Sequence, residues 1–337
     1  MPKLLSGRGE AEIDALPRAD AAAAEIPLVD LSRASAAADI AEACRDWGMF
    51  AAVGHGLDAA LVEQCLGEMR RFFTRSLGEK RALLRSLGNP WGFNGRELTK
   101  NRRDRKQVFD IGPDRSDPAD PFGGTTPWPD ADPVFAATMR SWKARCEALS
   151  DRLLAMIFAG LGEPAASAGE AFHPFATGFL RLNCYPLGDP FAGPDPRDGA
   201  RAVHHHTDAG ALTVLLEDGT PGLQVLREQR WHDVRPQPGT LIVNIGDMVE
   251  VWSNGLYRAP VHRVLAMDRR ERVSAPYFHN PAWGATIAPL PGALALSGAP
   301  RFHPIRWAEF RRRRAEGDFG DYGSEVQIGD WAIQAEA

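Results

Sequence analysis

The second half of the chain carries many short β-type segments separated by turn signals, and this pattern limits the possible folds more than any other feature. Turn signals occur at PxPG (236–239) and at NG (254–255). Many short strands at this spacing are typical of an antiparallel jelly roll, or double-stranded β-helix. The predicted strands are 177–185, 202–206, 211–217, 222–226, 231–234, 240–246, 259–266 and 272–279.

The first half of the chain is predicted to be mostly helical and to pack on this β core. An opening strand at 26–31 precedes helical periodicity over 36–52, 58–77 and 133–161. The last of these carries one long apolar stripe and ends in glycines where a helix C-cap is expected. A further helix is predicted around 304–314.

Between the predicted helices, residues 88–130 are repeatedly interrupted by Gly and Pro, which predicts loops with one short extended segment at 107–111. The sequence therefore predicts a mainly β protein with α-helices and a jelly-roll core. Its predicted divisions are an N-terminal helical and loop region (1–175), a jelly-roll core (176–290) and a C-terminal helix and tail (291–337).

Charge and cysteine content argue against several classes of protein. The net charge is −5, whereas nucleic-acid-binding domains usually present a basic face. The four cysteines form no CxxC pair, which indicates free thiols in a reducing compartment. There is no apolar leader and no uncharged stretch long enough to cross a bilayer. We therefore expect a cytoplasmic protein with neither a nucleic-acid nor a membrane partner.

A histidine and a carboxylate two residues apart, His206 and Asp208, lie at the end of the predicted strand 202–206 and just beyond it. Residues two apart on a strand point to the same face, so both side chains can reach one metal ion. His262, on a strand expected to face this one across the barrel mouth, supplies a third ligand. Two His and one carboxylate leave open positions on Fe(II) for O2 and a chelating co-substrate.

An HxD pair can also be two polar residues on the surface, and three consecutive histidines can form an incidental metal-binding tract. His204 is also two residues from His206 and would point to the same strand face. The sequence therefore leaves open which of these histidines binds the metal.

Arg272 and Ser274 lie ten and twelve residues after His262, and they share a strand face. A ketoacid that chelates iron must hold its far carboxylate in a buried pocket. A guanidinium pairs with a carboxylate in bidentate fashion, and a hydroxyl adds another hydrogen bond. This pair is therefore a candidate co-substrate anchor.

Taken together, these motifs resemble the isopenicillin-N-synthase-like family of Fe(II)/2-oxoglutarate oxygenases, and the resemblance covers nearly the whole chain. Gly54 stands where the family usually has Asn. The matching segments are IPLVDLS (26–32), ACRDWGMFAAVGHG (43–56), TKNRRDRKQVFDIG (99–112), RLNCYP (181–186), HTDAGALTVL (206–215) and PGTLIVNIGDMVEVWSNGLYRAPVHRV (238–264).

The resemblance implies a dioxygenase that uses Fe(II), 2-oxoglutarate and O2. It would hydroxylate, desaturate or cyclise a small organic molecule while 2-oxoglutarate is decarboxylated to succinate and CO2. Tyr185 would reach the far carboxylate of 2-oxoglutarate, Asn183 would lie beside the co-substrate, and Phe278 would face the substrate. Tyr185 and Phe278 could equally be barrel core, because buried aromatic residues usually are.

Three alternatives remain open from the sequence. The first is an oxidase of the isopenicillin N synthase or aminocyclopropane-carboxylate oxidase type, which shares the fold and the RxS motif but uses no 2-oxoglutarate. The second is Zn²⁺ hydrolysis on the same ligands. The third is a non-catalytic metal-binding protein, which a missing ligand would have indicated.

Aromatic residues are frequent in the predicted loops and near the C-terminus, where they could surround an open metal position. Phe109, Tyr277 and Phe278 are the candidate substrate contacts. Such a lining predicts a small-molecule substrate with an apolar or aromatic body.

Overall fold

The structure is a computed structural model that describes residues 10–20, 25–86, 88–99, 102–191, 201–319 and 326–334. Within these ranges the chain forms α-helices and two 3-10 helices, the latter at Ala165–Phe172 and Ile328–Trp331. The α-helices are α1 (Glu10–Asp14), α2 (Ala36–Asp46), α3 (Ala59–Phe73), α4 (Leu77–Arg81), α5 (Pro133–Gly160), α6 (Asp247–Trp252), α7 (Pro291–Ser297) and α8 (Trp307–Phe319).

The strands of the described residues are mostly short. They are β1 (Leu28–Asp30), β2 (Met49–Val53), β3 (Gly92–Asn94), β4 (Leu98–Thr99), β5 (Arg102–Arg103), β6 (Gln107–Ile111), β7 (Phe179–Tyr185), β8 (Val203–His206), β9 (Leu212–Glu217), β10 (Leu223–Arg227), β11 (Arg230–Asp233), β12 (Leu241–Ile245), β13 (His262–Val264), β14 (Arg272–His279), β15 (Thr286–Ile287) and β16 (Ile305–Arg306).

Two sheets form the β core. The large sheet has the strand order β1-β2-β12-β9-β14-β7-β6-β3, and the small sheet has the order β11-β10-β13-β8. A buried apolar cluster joins them, with Met49 and Ile242 from the large sheet and Val225 and Val264 from the small one. All pairs in these sheets are antiparallel except β1 with β2. This arrangement confirms the predicted jelly-roll core.

The outer face of the large sheet packs on the helices of the N-terminal half. One continuous buried cluster contains Phe72 of α3 and Trp142 of α5 together with Leu182, Val214 and Ala275 of the sheet. Burying this apolar surface is the main favourable contribution to the stability of such a layered fold. Among the described helices, none is both long and apolar enough to cross a membrane.

The eight strands predicted after residue 175 are present as β7 to β14, and the extended segment predicted at 107–111 is β6. The long helix predicted at 133–161 is α5, which starts with Asp132 as its N-cap and Pro133 in its first turn. The predicted C-terminal helix is α8. The loop region 88–130 contains three strands that the sequence did not predict, β3, β4 and β5.

One helix prediction was wrong in its last six residues: α2 ends at Asp46, and the rest of 36–52 is a turn followed by β2. Gly48 forms the turn with φ of +66°, and a Cβ at this position would lie 2.1 Å from the Arg258 carbonyl oxygen. The positive φ and this close approach both favour glycine. The residues that follow then pair with β12, with Phe50 opposite Val243.

Candidate metal and co-substrate site

The candidate metal ligands come from two neighbouring strands of the small sheet. β8 and β13 pair in antiparallel fashion, and His206 lies directly opposite His262 in the register. The expectation that the two strands face each other across the barrel mouth is therefore wrong. Cross-strand neighbours bring the two imidazoles together, with ring centroids 4.4 Å apart.

Asp208, just beyond the end of β8, completes the cluster. Its Oδ1 lies 3.6 Å from His206 Nε2 and 3.7 Å from His262 Nε2. One ligand atom from each of the three residues lies within 4.8 Å of the others, a spacing that one ion can bridge. The three residues proposed from the sequence are thus brought together by the fold.

Backbone carbonyls fix the tautomers of the two imidazoles. Nδ1 of His206 lies 2.8 Å from the His204 carbonyl oxygen, and Nδ1 of His262 lies 3.0 Å from the Pro260 carbonyl oxygen. A carbonyl only accepts, so each Nδ1 carries the hydrogen and each Nε2 keeps its lone pair for a metal. Burial, together with His206, also lowers the pKa of His262, which favours the neutral form that a ligand needs.

Two side chains orient the Asp208 carboxylate. Its Oδ2 accepts hydrogen bonds from Thr213 Oγ1 at 2.5 Å and from Asn244 Nδ2 at 2.8 Å. Burial disfavours the charged form, but the two imidazoles and the Asn244 amide outweigh it and hold the pKa of Asp208 well below its usual range. The carboxylate is therefore ionised, and Oδ1 faces the imidazole nitrogens. Sequence reasoning missed Thr213 and Asn244.

The other two histidines of the run have partners of their own. His204 donates its backbone N–H to Asp104 Oδ1, and its Nδ1 lies 3.0 Å from the same oxygen. Nδ1 of His205 lies 3.2 Å from Asp14 Oδ1. Neither belongs to the three-residue cluster. Of the histidines that the sequence left open, the fold therefore brings His206 together with Asp208 and His262.

An inner chamber of about 80 Å³ extends from this cluster towards Arg272. The Arg272 guanidinium, only 1% exposed, donates from Nη1 to Ser274 Oγ at 3.3 Å. The Tyr185 ring lies 5.0 Å from Arg272 Cζ, and Asn183 Nδ2 lies 3.5 Å from Ser274 Oγ. The four residues proposed for co-substrate binding thus line one buried chamber.

An outer chamber of about 190 Å³ shares His206 and Asp208 with the inner one. As predicted, residues from the loop region 88–130 and from α8 line it. Phe278 lines both chambers. The aromatic residues of the outer chamber are Trp91, Phe122, Phe179, Phe278 and Trp307.

The structure corrects two of the predicted substrate contacts. Phe109 is fully buried and packs on Phe72 and Phe135 on the helix side of the large sheet. Tyr277 belongs to the same buried cluster, one residue out of phase with Phe278. Because strand side chains alternate between faces, both rings point away from the chambers and are core residues.

One wall of the outer chamber is ionic, which sequence reasoning did not find. Arg181 Nε lies 2.7 Å from Asp110 Oδ1, and its Nη2 lies 2.8 Å from Glu97 Oε1. Lys106 Nζ lies 3.2 Å from Asp104 Oδ2. Burial raises the pKa of Glu97, but Arg181 and Lys106 outweigh this effect and lower it. The wall is thus charged at neutral pH.

The donor set fits a ferrous ion: two neutral imidazoles and one oriented carboxylate are the ligands of oxygen-activating Fe(II) sites. Arg272 with its neighbouring hydroxyl fits the far carboxylate of a ketoacid. The protein thus has side chains suited to bind both an iron ion and 2-oxoglutarate.

Comparison with known proteins agrees with this geometry. The family model of the 2OG-Fe(II) oxygenase superfamily matches residues 176–281. A second model, described as the N-terminal part of the non-haem dioxygenase in morphine synthesis, matches residues 26–131. The first match spans the strands that carry all of the residues proposed for metal and co-substrate binding.

Two curated plant relatives are similar over most of their length. A 1-aminocyclopropane-1-carboxylate oxidase from Musa acuminata is 32% identical over 314 residues, covering 88% of this chain and 92% of the relative. Gibberellin 3-beta-dioxygenase 1 from Oryza sativa subsp. japonica is 31% identical over 298 residues, covering 85% and 76%.

Among solved structures, JOX2 in complex with 2OG, Fe and JA aligns with a TM-score of 0.76 and 26% identity, covering 95% of this chain and 94% of that one. From these matches and the His-Asp-His cluster it follows that the chain belongs to the 2OG-Fe(II) oxygenase superfamily and is an oxidoreductase that uses Fe(II), 2-oxoglutarate and O2.

Proposed function

We propose that His206, Asp208 and His262 bind the iron, that Arg272 and Ser274 bind the far carboxylate of 2-oxoglutarate, and that the substrate fills the outer chamber. One observation carries this proposal: His206 and Asp208 line both chambers, so an ion held there would border both. A co-substrate in the inner chamber and a substrate in the outer one would then meet the same ion.

In this family, bound iron and 2-oxoglutarate supply O2-dependent oxidation of an organic molecule, coupled to formation of succinate and CO2. The chain's own residues position the reactants. Asn244 and Thr213 hold the Asp208 carboxylate, and the carbonyls behind the imidazoles keep Nε2 available. The Arg272 guanidinium is only 1% exposed, and the low dielectric of such a buried position would strengthen its pairing with a carboxylate.

For the substrate we propose a small molecule with an apolar or aromatic body that also carries a polar group. The five aromatic rings of the outer chamber would contact the body. Lys106, Arg181 and the α8 residue Arg311 also line this chamber and are available as partners for a polar group. Arg311 Nη1 lies 3.0 Å from Asp120 Oδ2, and its Cζ lies 5.1 Å from the Phe122 ring centre.

An anaerobic titration with Fe(II) and then 2-oxoglutarate tests the metal and co-substrate assignments. We expect the weak visible charge-transfer band of a chelated ketoacid in the unmodified protein and its loss in Asp208→Ala. The matched control is Asp130→Ala, an exposed Asp in the 88–130 region, which should keep the band. Iron binding without the band would contradict the co-substrate assignment and favour an oxidase without 2-oxoglutarate.

A substrate panel tests the third part of the proposal. Succinate release coupled to product formation is measured over phenolics, terpenoid acids and amino acids. We expect coupled turnover with members that have a ring-bearing apolar body. Strong turnover of a small polar amino acid, with the apolar compounds inert, would contradict the proposed substrate class.

A further inference from the structure

The guanidinium proposed to bind 2-oxoglutarate already has an internal carboxylate partner, Glu217. Glu217 ends β9 and lies opposite Ser274 in the register. It shares a strand face with Thr213 and Leu215, both of which line the inner chamber. Its Oε1 accepts a hydrogen bond from Arg272 Nη2, and both side chains are buried, with exposures of 7% and 1%.

Few other charges surround this pair. Arg272 Nε donates to the Thr220 carbonyl at 3.2 Å, and Tyr185 presents its ring to the guanidinium. Asp218 adds a second carboxylate, which accepts the Val273 backbone N–H at 3.1 Å. On the solvent side, Arg70 of α3 lies 3.6 Å from Asp218, but half of its side chain is exposed. One buried cation thus already faces two carboxylates.

The far carboxylate of 2-oxoglutarate would bring a third negative charge to this cation. Like charges within a few ångströms in a buried site cannot all stay ionised at low cost, and the usual outcome is that one carboxyl takes up a proton. Glu217 contacts Arg272 directly, so it is the group that the incoming carboxylate affects most.

Building on the co-substrate site proposed above, we propose that Glu217 binds a proton when 2-oxoglutarate enters and then donates a hydrogen bond to its far carboxylate. Arg272, Ser274 and neutral Glu217 would together hold that carboxylate. Glu217 is thereby a further binding residue for the co-substrate, and its proton couples co-substrate affinity to pH.

The environment of Glu217 favours this role before any ligand is bound. Burial raises the pKa of its carboxyl, Asp218 raises it further, and the pairing with Arg272 only partly offsets this increase. A co-substrate carboxylate sharing Arg272 raises it again, because it weakens the one interaction that favours the ionised form. The bound complex therefore holds the proton to a higher pH than the free protein, so co-substrate affinity falls as the pH rises between the two values.

Proton uptake in the unmodified protein is the first test. 2-Oxoglutarate is titrated anaerobically into the Fe(II)-loaded protein in a calorimeter, in two buffers of different ionisation enthalpy. We expect uptake that approaches about one proton per bound 2-oxoglutarate, and an affinity that falls by up to about tenfold per pH unit in this window. Binding without proton uptake at every pH would overturn the proposal.

A substitution supplies the second test. In Glu217→Gln, a neutral amide donates to the far carboxylate without needing a proton. We expect a 2-oxoglutarate affinity that is independent of pH and about tenfold tighter than that of the unmodified protein at the alkaline end of the range. Glu271→Gln, the same change at an exposed position beside Arg272, is the matched control and should keep the original pH dependence. A Glu217→Gln variant with the original pH dependence would refute the role of Glu217.

Different results would contradict the Arg272 pocket and the role of Glu217. Iron binding with no 2-oxoglutarate binding at any pH, in both the unmodified protein and Glu217→Gln, would overturn the Arg272 pocket and this inference with it. Tight binding without pH dependence would overturn only the role of Glu217.

Discussion

Thr213→Val is expected to weaken iron binding without changing the fold. Valine has nearly the shape of threonine, so the substitution removes one hydroxyl from a buried position and little else. That hydroxyl donates to Asp208 Oδ2 at 2.5 Å, on the carboxylate oxygen that does not face the imidazoles. The change therefore acts on the orientation of one proposed ligand and leaves all three ligands present.

The size of the effect follows from this one hydrogen bond. A bond to a charged group contributes roughly 1.5–3 kcal/mol. Each 1.4 kcal/mol corresponds to about a tenfold change in affinity, so a loss of roughly 10- to 100-fold in iron affinity is expected. Loss of a partner behind a metal ligand typically costs a similar factor, about 10–100-fold. Asn244 still donates to the same oxygen at 2.8 Å, which is why binding should weaken but persist.

The assay is an anaerobic competition between the protein and a chromophoric Fe(II) chelator. Thr126→Val is the matched control, because this threonine is also buried and its Oγ1 accepts a hydrogen bond from the Gly112 N–H, away from the cluster. We expect the control to bind iron as the unmodified protein does. Unchanged iron affinity in Thr213→Val, with the fold intact by circular dichroism, would refute the argument that this hydroxyl orients the ligand.

Three further predictions follow from the site. Replacing any one of the three proposed ligands by Ala should abolish iron binding in the same assay, whereas His205→Ala should retain it. Arg272→Lys should weaken 2-oxoglutarate binding by part of the roughly 2–5 kcal/mol of a buried charge pair, measured by calorimetry, because an ammonium cannot match the guanidinium fork. Phe278→Ala should raise the substrate KM while leaving iron and 2-oxoglutarate binding nearly unchanged. Tyr277→Ala should instead lower the thermal midpoint by removing a core ring. The reverse pattern would contradict the assignment of these two faces.

Much of the β core could be predicted because its signals are local. Strand alternation and turn residues lie within a few positions of each other, so β7 to β14 can be recognised without knowing their partners. β2 differs, because the apolar pattern of α2 continues into it, and its pairing with β1 and with distant β12 makes it a strand. The turn at Gly48 was the available signal, since its glycine stands where a helix would otherwise continue.

The same alternation explains both the successes and the errors at the site. Because side chains two residues apart share a strand face, Arg272 was correctly grouped with Ser274. The same spacing continued along β14 reaches Pro276 and Phe278, which also line the inner chamber. Applying it strictly would have placed Tyr277 on the opposite face, where the structure has it.

The ionic wall and Glu217 could not be predicted in this way, because their meaning depends on residues that only the fold brings together. Glu217 is unremarkable at the end of an apolar strand, and it becomes a binding candidate because register places it opposite Ser274 and beside the Arg272 guanidinium. The alternation of side chains along β9 puts Glu217 on the chamber face, but only pairing with β14 brings the Arg272 guanidinium beside it. Recognition residues of this kind are set by strand register, whereas metal ligands two residues apart are visible in the sequence itself.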